Sequence, residues 1–369
     1  MVTEARDEGV RWRAPGRVNL IGEHTDYNEG FAMPLAIGRT CTATARTLDE
    51  PVLLLRSVRP EARATLPLAE LSPGQPAGWA GYIGGVVWAL LRRGVKLPGL
   101  AIEIDSDVPM GAGLASSAAL TCSVASSIND LLGLGLARRD RLEVAVSAEN
   151  DFVGTPTGGL DQLAALHGSD GNVLFCDLRD LDVTPVPFDL KAARLSLLAI
   201  DTGIPHAHAH GEYGARRAEC MRAARILGVR ALRDVTDLAA ALAALPEGPL
   251  RGYVRHVVTE NERVLAAARL LWSGATGQIG SLMNASHDSL RDDYLVSTAE
   301  LDLAVETLRD MGALGARMTG GGFGGTVIAL LDSGLARTAS EAVRLAFEAK
   351  GYRRPHAFIV HPSRGAYRD

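Results

Sequence analysis

The chain has 369 residues, a formal net charge of −5, 47% hydrophobic residues and 22% charged residues. This length predicts two domains around a cleft, and the composition is that of an ordinary globular protein, which excludes a largely disordered chain. The acidic balance offers no basic field for a phosphate backbone, so we expect no nucleic-acid partner.

Four cysteines, Cys41, Cys122, Cys176 and Cys220, lie far apart and form no CxxC pair. This spacing argues against a structural zinc site and against a disulfide framework. The first residues are charged and lack the apolar stretch of a secretory signal, and no apolar run is long enough to span a bilayer. We therefore expect a cytoplasmic protein without membrane contact.

Short apolar runs bounded by turn residues predict strands, and apolar residues at helical spacing predict helices. The predicted strands cover residues 52–55, 100–104, 173–175, 195–200, 326–331 and 357–360. The predicted helices cover residues 79–91, 116–132, 138–153, 214–227, 255–272 and 297–311. Because the two types are mixed without strict alternation, the predicted class is α+β. Two prolines in residues 184–190 indicate a boundary between domains 1–187 and 188–369.

The segment PGRVNLIGEHTDY, residues 15–27, concentrates ionisable side chains beside turn-forming residues. Arg17, Glu23, His24 and Asp26 lie within ten residues of one another. Such a density is more than an ordinary core needs and is typical of a functional site. Taken alone, the segment also suits a solvated charged loop.

A first glycine-rich segment, VPMGAGLASSAA, occupies residues 108–119. A strand ends there, glycines allow close approach of the backbone, and Ser116 and Ser117 open an apolar helix. Free N–H groups, the helix dipole and two hydroxyls together predict a site for the phosphates of a nucleotide. A simple helix cap after a glycine turn is the alternative. No GK[ST] sequence is present, so the segment is not a Walker A loop.

A second glycine-rich segment, GARMTGGGFGG, occupies residues 315–325 and formally contains GxGxxG. It follows a predicted helix and runs into a predicted strand, which is the reverse of a dinucleotide-binding fingerprint. We interpret it as a compact loop whose backbone closely approaches another segment, with plain turn formation as the alternative.

Two carboxylates stand out in the predicted helices. Asp161 follows a double glycine at the start of a helical turn. The alternative explanation for a carboxylate there is its favourable interaction with the helix dipole. Glu149 lies in the apolar stripe of helix 138–153 with Leu142 and Val146. A buried carboxylate needs a partner or a metal ion.

Three alternating histidines, His206, His208 and His210, could share one face of an extended strand and bind a metal ion. No acidic or thiolate ligand is close in sequence, so we favour a polar loop instead.

In this order, the segments 15–30, 109–119 and 315–325 resemble the three motifs of the GHMP kinases. The first of them, PGRVNLIGEHTDYNEG, resembles the galactokinase family specifically. The similarity continues through Trp79, Tyr82, the GGLDQ sequence around Asp161 and the GEYGARRAEC sequence around Tyr213. Three features depart from the family pattern: Ala115 replaces a serine, TGGLDQ replaces the usual CGIMDQ around Asp161, and the segment before Tyr213 lacks the usual asparagines and basic residue.

The resemblance implies a two-lobed fold with the active site in the interdomain cleft. It implies that the ATP phosphates contact Gly111, Ala112, Gly113, Leu114, Ala115, Ser116 and Ser117. It implies Mg²⁺ on Ser117 and Glu149, adenine near Trp79, and a further nucleotide contact at Ser57. For the sugar it implies Glu23, His24, Thr25, Asp26, Asp161, Tyr213 and the backbone of Gly158.

The implied reaction is direct transfer of a phosphoryl group from MgATP to the C1 hydroxyl of galactose. Asp161 and Arg17 resemble the catalytic pair, with Asp161 as base or orienting group and Arg17 stabilising charge. A related sugar 1-kinase acting on N-acetylgalactosamine or L-arabinose, a noncatalytic galactose-sensing regulator and a plain nucleotide-binding module are the alternatives. The oligomeric state is left open.

Overall fold

The computed structural model describes residues 9–155, 157–204 and 209–369. Its strands are β1 Val10–Asn19, β2 Phe31–Ala32, β3 Pro34–Leu48, β4 Val52–Ser57, β5 Ala62–Pro67, β6 Gly99–Ser106, β7 Asn172–Asp177, β8 Asp182–Pro187, β9 Leu195–Asp201, β10 Gly315–Thr319, β11 Thr326–Asp332, β12 His356–Val360 and β13 Tyr367–Arg368. Its helices are α1 Trp79–Arg92, α2 Ser116–Leu131, α3 Arg138–Ser147, α4 Leu160–His167, α5 Ala209–Leu227, α6 Leu238–Ala244, α7 Pro249–Trp272, α8 Gly280–Asp292, α9 Ala299–Asp310 and α10 Ala336–Ala349.

The largest sheet has the strand order β13-β1-β3-β6-β4-β5. Its neighbours are antiparallel except for β4 and β6, which are parallel. The register of β1 against β3 shifts between Pro15 and Arg17, which marks a bulge in the strand. Helix α2 packs against β1 and β3. The bulge therefore lies where the first motif meets the helix that follows the first glycine-rich segment. We refer to that segment, residues 108–119, as the phosphate loop.

A second, antiparallel sheet has the order β10-β11-β9-β12, and a third has the order β2-β7-β8. Helices α8, α9 and α10 pack against strands of the second sheet. Strand β11 is buried along Thr326–Leu331 because its apolar side chains are covered on both faces. Mixed sheets with helices packed on them confirm the predicted α+β class.

All the predicted strands and helices are present, with shifts of a few residues at their ends. Helix 138–153 is the main exception, because α3 ends at Ser147 and a π-helical turn continues from Ala148 to Val153. The segment 184–190 contributes to β8, and the boundary at 187/188 stays a prediction.

The alternative given for residues 15–27, a solvated charged loop, is wrong. Residues 15–19 belong to β1, and Glu23 and His24 are 3% and 4% exposed. The C-terminal half of the chain covers them, through contacts with residues that lie hundreds of positions away. Among the described residues, no helix is long and apolar enough to cross a bilayer.

The interpretation of residues 315–325 as one loop is corrected in part. The first five of these residues form β10, which pairs with β11 as a hairpin. The glycines after it do form a compact loop, and a Cβ atom on Gly320 would lie 3.1 Å from the carbonyl oxygen of Gly113. The predicted close approach is therefore confirmed, and the segment approached is the first glycine-rich loop.

Candidate active site

A cleft of about 560 Å³ brings together the first motif and both glycine-rich segments. Of the candidate residues named from the sequence, it is lined by Arg17, Glu23, His24, Asp26, Ser57, Trp79, Gly111, Gly113, Leu114, Ala115, Ser116, Ser117, Glu149, Asp161 and Tyr213. A second, more open depression of about 760 Å³ lies at α7 and α8 and contains none of them. The chemistry of the chain is therefore concentrated in the first cleft.

Arg17 stands at the centre of this cleft, on β1 just after the bulge. Its Nε and Nη2 atoms lie 2.7 Å and 2.6 Å from Oδ1 of Asp161. Its Nη1 atom donates to the carbonyl oxygen of Gly113 at 2.6 Å, and its backbone N–H donates to that of Leu114 at 3.0 Å. One guanidinium therefore fixes the phosphate loop and the Asp161 carboxylate relative to each other.

The phosphate loop has the predicted geometry, with β6 before it and α2 after it. Gly111, Gly113 and Ala115 all have positive φ, at 73°, 74° and 59°. The left-handed turn at Ala115 places Ser116 and Ser117 in the first turn of α2. Thr326 donates to the carbonyl oxygen of Ala112 at 2.7 Å. The N-terminus of α2 therefore faces the cleft in the way that an anion site requires.

Glu149 lies in the π-helical turn and is 2% exposed. It accepts hydrogen bonds from Ser117 at 3.1 Å, Thr121 at 3.3 Å and Gln162 at 2.8 Å. All three partners are neutral. Burial, and secondarily the negative charge of Asp161, raise the pKa of Glu149 to about 7. The inserted turn thus aims a poorly compensated carboxylate at the start of α2.

The Ser117 and Glu149 oxygens suit a hard divalent cation. Magnesium is commonly held by one or two carboxylates together with substrate phosphates, so two protein oxygens beside a phosphate site are an appropriate set. Within residues 9–155, 157–204 and 209–369, no group of three or more His, Cys, Asp and Glu side chains is placed to hold a metal ion. His206 and His208 lie outside the described residues, and the side chain of His210 is not described.

Asp26 joins three separate segments of the chain: the first motif, the loop at Gly158 and helix α5. Its carboxylate accepts hydrogen bonds from the backbone N–H of Gly158 at 3.1 Å and from the hydroxyl of Tyr213 at 3.1 Å. Burial raises the pKa of Asp26, and the nearby Asp161 carboxylate raises it further. The Gly158 amide already has this acceptor, so a sugar contact at Gly158 stays a prediction.

A substitution at Gly158 tests this junction. A Cβ atom there would lie 2.4 Å from Oδ2 of Asp26, so Gly158→Ala should displace the carboxylate. For the sugar that the family resemblance implies as substrate, we expect KM to rise about tenfold, since small misplacements of binding groups are costly. Gly214→Ala on α5 is the matched control, because a Cβ atom there meets nothing within 4 Å. Steady-state kinetics of both variants measure the effect, and equal KM values would contradict it.

Glu23 is buried and paired with Arg317, a residue that sequence reasoning missed. Arg317 on β10 is fully buried, binds the Glu23 carboxylate and donates to the carbonyl oxygen of Leu20 at 3.2 Å. The backbone N–H of Gly320 donates to Glu23 at 3.0 Å. The available signal was an arginine inside an apolar segment directly before the second glycine loop.

His24 has a left-handed backbone, with φ at 61°, and both ring nitrogens have partners. Nδ1 lies 2.7 Å from the Tyr27 hydroxyl and Nε2 lies 3.2 Å from the carbonyl oxygen of Gly321. Burial lowers the pKa of His24 to about 3, so the ring is neutral. A neutral imidazole beside Asp26 and Tyr213 offers hydrogen bonds rather than charge to a ligand.

Three candidates are not among the residues that line the cleft: Thr25, Ala112 and Gly158. Thr25 is fully buried, and its hydroxyl lies 2.9 Å and 2.7 Å from the carbonyl oxygens of Gly22 and Phe31. Ala112 is 3% exposed. Thr25 therefore stabilises the backbone of the first motif, and its assignment as a direct sugar contact stays a prediction. Trp79, Tyr82 and Ser57 also line the cleft.

Family models match three segments of the chain. The galactokinase galactose-binding signature matches residues 3–47, the N-terminal domain of GHMP kinases matches residues 81–169, and the C-terminal domain of GHMP kinases matches residues 265–349. The matches include the first motif and the phosphate loop.

Full-length relatives and solved structures agree with these matches. The chain is 48% identical to the galactokinase of Streptomyces coelicolor, over 99% of this chain and 95% of the relative. It is 46% identical to the galactokinase of Mycobacterium tuberculosis, over 97% and 98% of the two chains. The crystal structure of Lactococcus lactis galactokinase complexed with galactose matches with a TM-score of 0.93 and 31% identity, covering 98% of this chain and 96% of that one. A mevalonate kinase structure shares the fold at 17% identity and a TM-score of 0.69.

Proposed function

The chain belongs to the galactokinase family of the GHMP kinases, and from this premise we propose that it transfers the γ-phosphoryl group of ATP to the C1 hydroxyl of galactose. It is an ATP-dependent galactose kinase, and the products of the proposed step are galactose 1-phosphate and ADP. The observation that carries the proposal is the Arg17–Asp161 pair, which lies between the phosphate loop and the buried side chains of the first motif.

The sugar end of the cleft supplies fixed acceptors and donors. Asp26 is held by Gly158 and Tyr213, and His24 is held on both sides of its ring. Glu23 is fixed by Arg317. Groups that are already fixed lose little further entropy when a ligand binds, so they can orient the reacting hydroxyl for in-line attack.

The proposed chemistry at the reacting hydroxyl rests on Asp161 and Arg17. An Asp161 carboxylate accepts the proton from the C1 hydroxyl as that oxygen attacks the γ-phosphorus. Phosphoryl transfer spreads negative charge over the equatorial oxygens, so positioning and electrostatic stabilisation dominate the catalysis. Arg17 provides the positive charge next to this point, and its contact with Gly113 keeps it aligned with the phosphate loop.

ATP is the co-substrate, and we propose that Mg²⁺ binds with it. Ser117 and Glu149 would hold the ion at the start of α2. When bound, the ion neutralises part of the phosphate charge. The buried Glu149 carboxylate, which has only neutral partners, supports this assignment.

Removing the charge of Glu149 should weaken metal-dependent nucleotide binding. We expect Glu149→Gln to raise the dissociation constant of MgADP about tenfold, in the range seen when groups that support a metal are lost. Binding of ADP in the presence of EDTA should change much less. Isothermal titration calorimetry measures both constants. Glu143→Gln, an exposed carboxylate on α3 paired with Arg93, is the control, and an equal loss in both variants would contradict the metal assignment.

The proposed function is tested by a panel of sugars in a coupled assay of ADP release. We expect turnover with galactose to exceed that with glucose, N-acetylgalactosamine and L-arabinose by at least an order of magnitude in kcat/KM. NMR of the product identifies C1 as the phosphorylated position. Negligible turnover with galactose would refute the proposal, and turnover with another panel member would reveal the alternative substrate.

We further propose a cytoplasmic location. The four cysteines are free and buried, which suits a reducing compartment.

A further inference from the structure

A continuous chain of hydrogen bonds runs from the protein interior to His24. Cys220 Sγ lies 3.1 Å from the Tyr294 hydroxyl, which lies 2.7 Å from the Tyr27 hydroxyl. Tyr27 lies 2.7 Å from His24 Nδ1, and His24 Nε2 lies 3.2 Å from the carbonyl oxygen of Gly321. We refer to Cys220, Tyr294, Tyr27, His24 and Gly321 as the His24 chain.

The direction of every bond in the His24 chain follows from counting hydrogens. A carbonyl oxygen only accepts, so His24 Nε2 must carry the hydrogen that faces Gly321. Because burial keeps the imidazole neutral, Nδ1 carries no hydrogen and accepts from Tyr27. The Tyr27 oxygen then accepts from the Tyr294 hydroxyl.

The far end of the His24 chain is consistent with this order. The Tyr294 oxygen accepts from the thiol of Cys220. Burial raises the pKa values of Tyr27 and Tyr294, and raises that of Cys220 to about 11, so each keeps its hydrogen. The hydrogens on Cys220, Tyr294, Tyr27 and His24 Nε2 therefore make the four hydrogen bonds of the His24 chain, one each.

Packing holds the imidazole in this orientation. The Tyr294 ring lies 4.6 Å from the His24 ring and the Tyr213 ring lies 5.4 Å from it. Asn28 donates to the carbonyl oxygen of His24 at 2.8 Å, which also fixes the backbone. Tyr27, Cys220 and Tyr294 come from separate parts of the sequence: the end of the first motif, α5, and the segment after α8.

We propose that Tyr27 and Tyr294 are positioning residues of the sugar site, which hold His24 as the Nε2–H tautomer so that it can only donate to a sugar oxygen. This rests on the proposed function, since it assigns a task to a residue of the galactose pocket. The 3.2 Å bond to Gly321 is long for a hydrogen bond, so a hydroxyl oxygen that enters the cleft can share or replace that acceptor. In this tautomer His24 favours a sugar with an oxygen at the position that Nε2 faces, and it does not act as a base.

Kinetic measurements on tyrosine variants test the proposal. Tyr27→Phe removes the donor to Nδ1, so we expect the KM for galactose to rise about tenfold, with kcat and the KM for ATP within about twofold of the wild type. Tyr294→Phe leaves the Tyr27–His24 bond in place, so we expect a smaller rise of about threefold.

Two controls separate the chain from general packing effects. Tyr253 lies 5.3 Å from Tyr294 in the same aromatic cluster, and its hydroxyl makes no hydrogen bond with the described residues. Tyr253→Phe should therefore leave all three constants unchanged. Cys220→Ser keeps a donor to Tyr294 and should also match the wild type. A Tyr27→Phe enzyme with an unchanged KM for galactose, or an equal rise in Tyr253→Phe, would overturn the proposal.

Histidine-selective ¹⁵N NMR of the wild-type protein gives a second measurement that needs no activity. The His24 signals, assigned by their loss in His24→Gln, should show a protonated Nε2 and an unprotonated Nδ1. A protonated Nδ1 would overturn the proposal whatever the substrate is. Conversely, a wild-type enzyme that does not turn over galactose refutes the proposed function while the tautomer is still measured. If Tyr27→Phe does not fold, the wild-type spectrum and Tyr294→Phe still decide the question.

Discussion

Replacing Asp161 with Asn should lower kcat by about 10²- to 10⁴-fold, the usual contribution of general acid–base catalysis. Asn has nearly the same volume, and its Oδ1 atom can still accept the hydrogen bonds from Arg17, so the geometry of the pair should persist. What is lost is the capacity to take up the proton of the C1 hydroxyl. Steady-state kinetics and calorimetric titration with galactose should show a large loss of kcat with binding retained.

The size of this loss also decides between two roles for Asp161. If the carboxylate only orients the hydroxyl, the amide of the Asp161→Asn variant should orient it nearly as well. In that case kcat should fall less than about tenfold. Asp180→Asn is the control, because Asp180 is an exposed aspartate on the turn between β7 and β8. Turnover by Asp161→Asn at the native level would remove Asp161 from the catalytic machinery.

Replacing Arg17 with Lys should lower kcat by about 10²- to 10³-fold, although the positive charge is kept. The guanidinium reaches Asp161 with two nitrogen atoms and Gly113 with a third. A lysine ammonium is a compact group at the end of a flexible stem and cannot reproduce that planar fork. We therefore expect the phosphate loop and the carboxylate to lose their fixed relation.

Kinetics separate this loss from a loss of sugar binding. In Arg17→Lys the KM for galactose should stay within a few fold of the wild-type value, since the first motif keeps its buried partners. Arg344→Lys on α10, where a partly exposed arginine pairs with Glu341 and Glu348, serves as the control and should not change kcat. Equal kcat values for Arg17→Lys and the wild type would show that the fork geometry does not matter.

The α+β class and the predicted elements followed from local periodicity, and these are confirmed. Apolar repeats identified helices such as α1 and α2 because each buries a continuous face: α2 packs against the large sheet, and α1 packs against α2, α3 and the π-helical turn. Other elements were not predicted, among them strands β1, β3, β5 and β10 and helices α6, α8 and α10. Strand β3, residues Pro34–Leu48, mixes threonine, arginine and alanine, and its pattern becomes clear only with β1 and β6 on either side.

For the candidate site, sequence identified the residue types better than their environments. Arg17, Asp161 and the phosphate loop meet as the family resemblance implied. The burial of Glu23 and His24 could not be predicted from nearby residues, because Arg317 and Gly321, which contact them, lie almost 300 residues away in the sequence. Long-range pairings of this kind leave no periodic signal in the local sequence. For the same reason Arg317 and Tyr294 were missed.

The buried pairing of Glu23 with Arg317 has a consequence for synthesis on the ribosome. The first motif leaves the ribosome almost three hundred residues before the arginine that neutralises its glutamate, and before β13, which pairs with β1. Until then the carboxylate can stay in water, since burying it unpaired is costly. The nascent N-terminal half can collapse around its own apolar core, but its sugar pocket can close only when β10 has been made. A chain that ends before residue 317 therefore has an intact phosphate loop sequence and an unfinished sugar pocket.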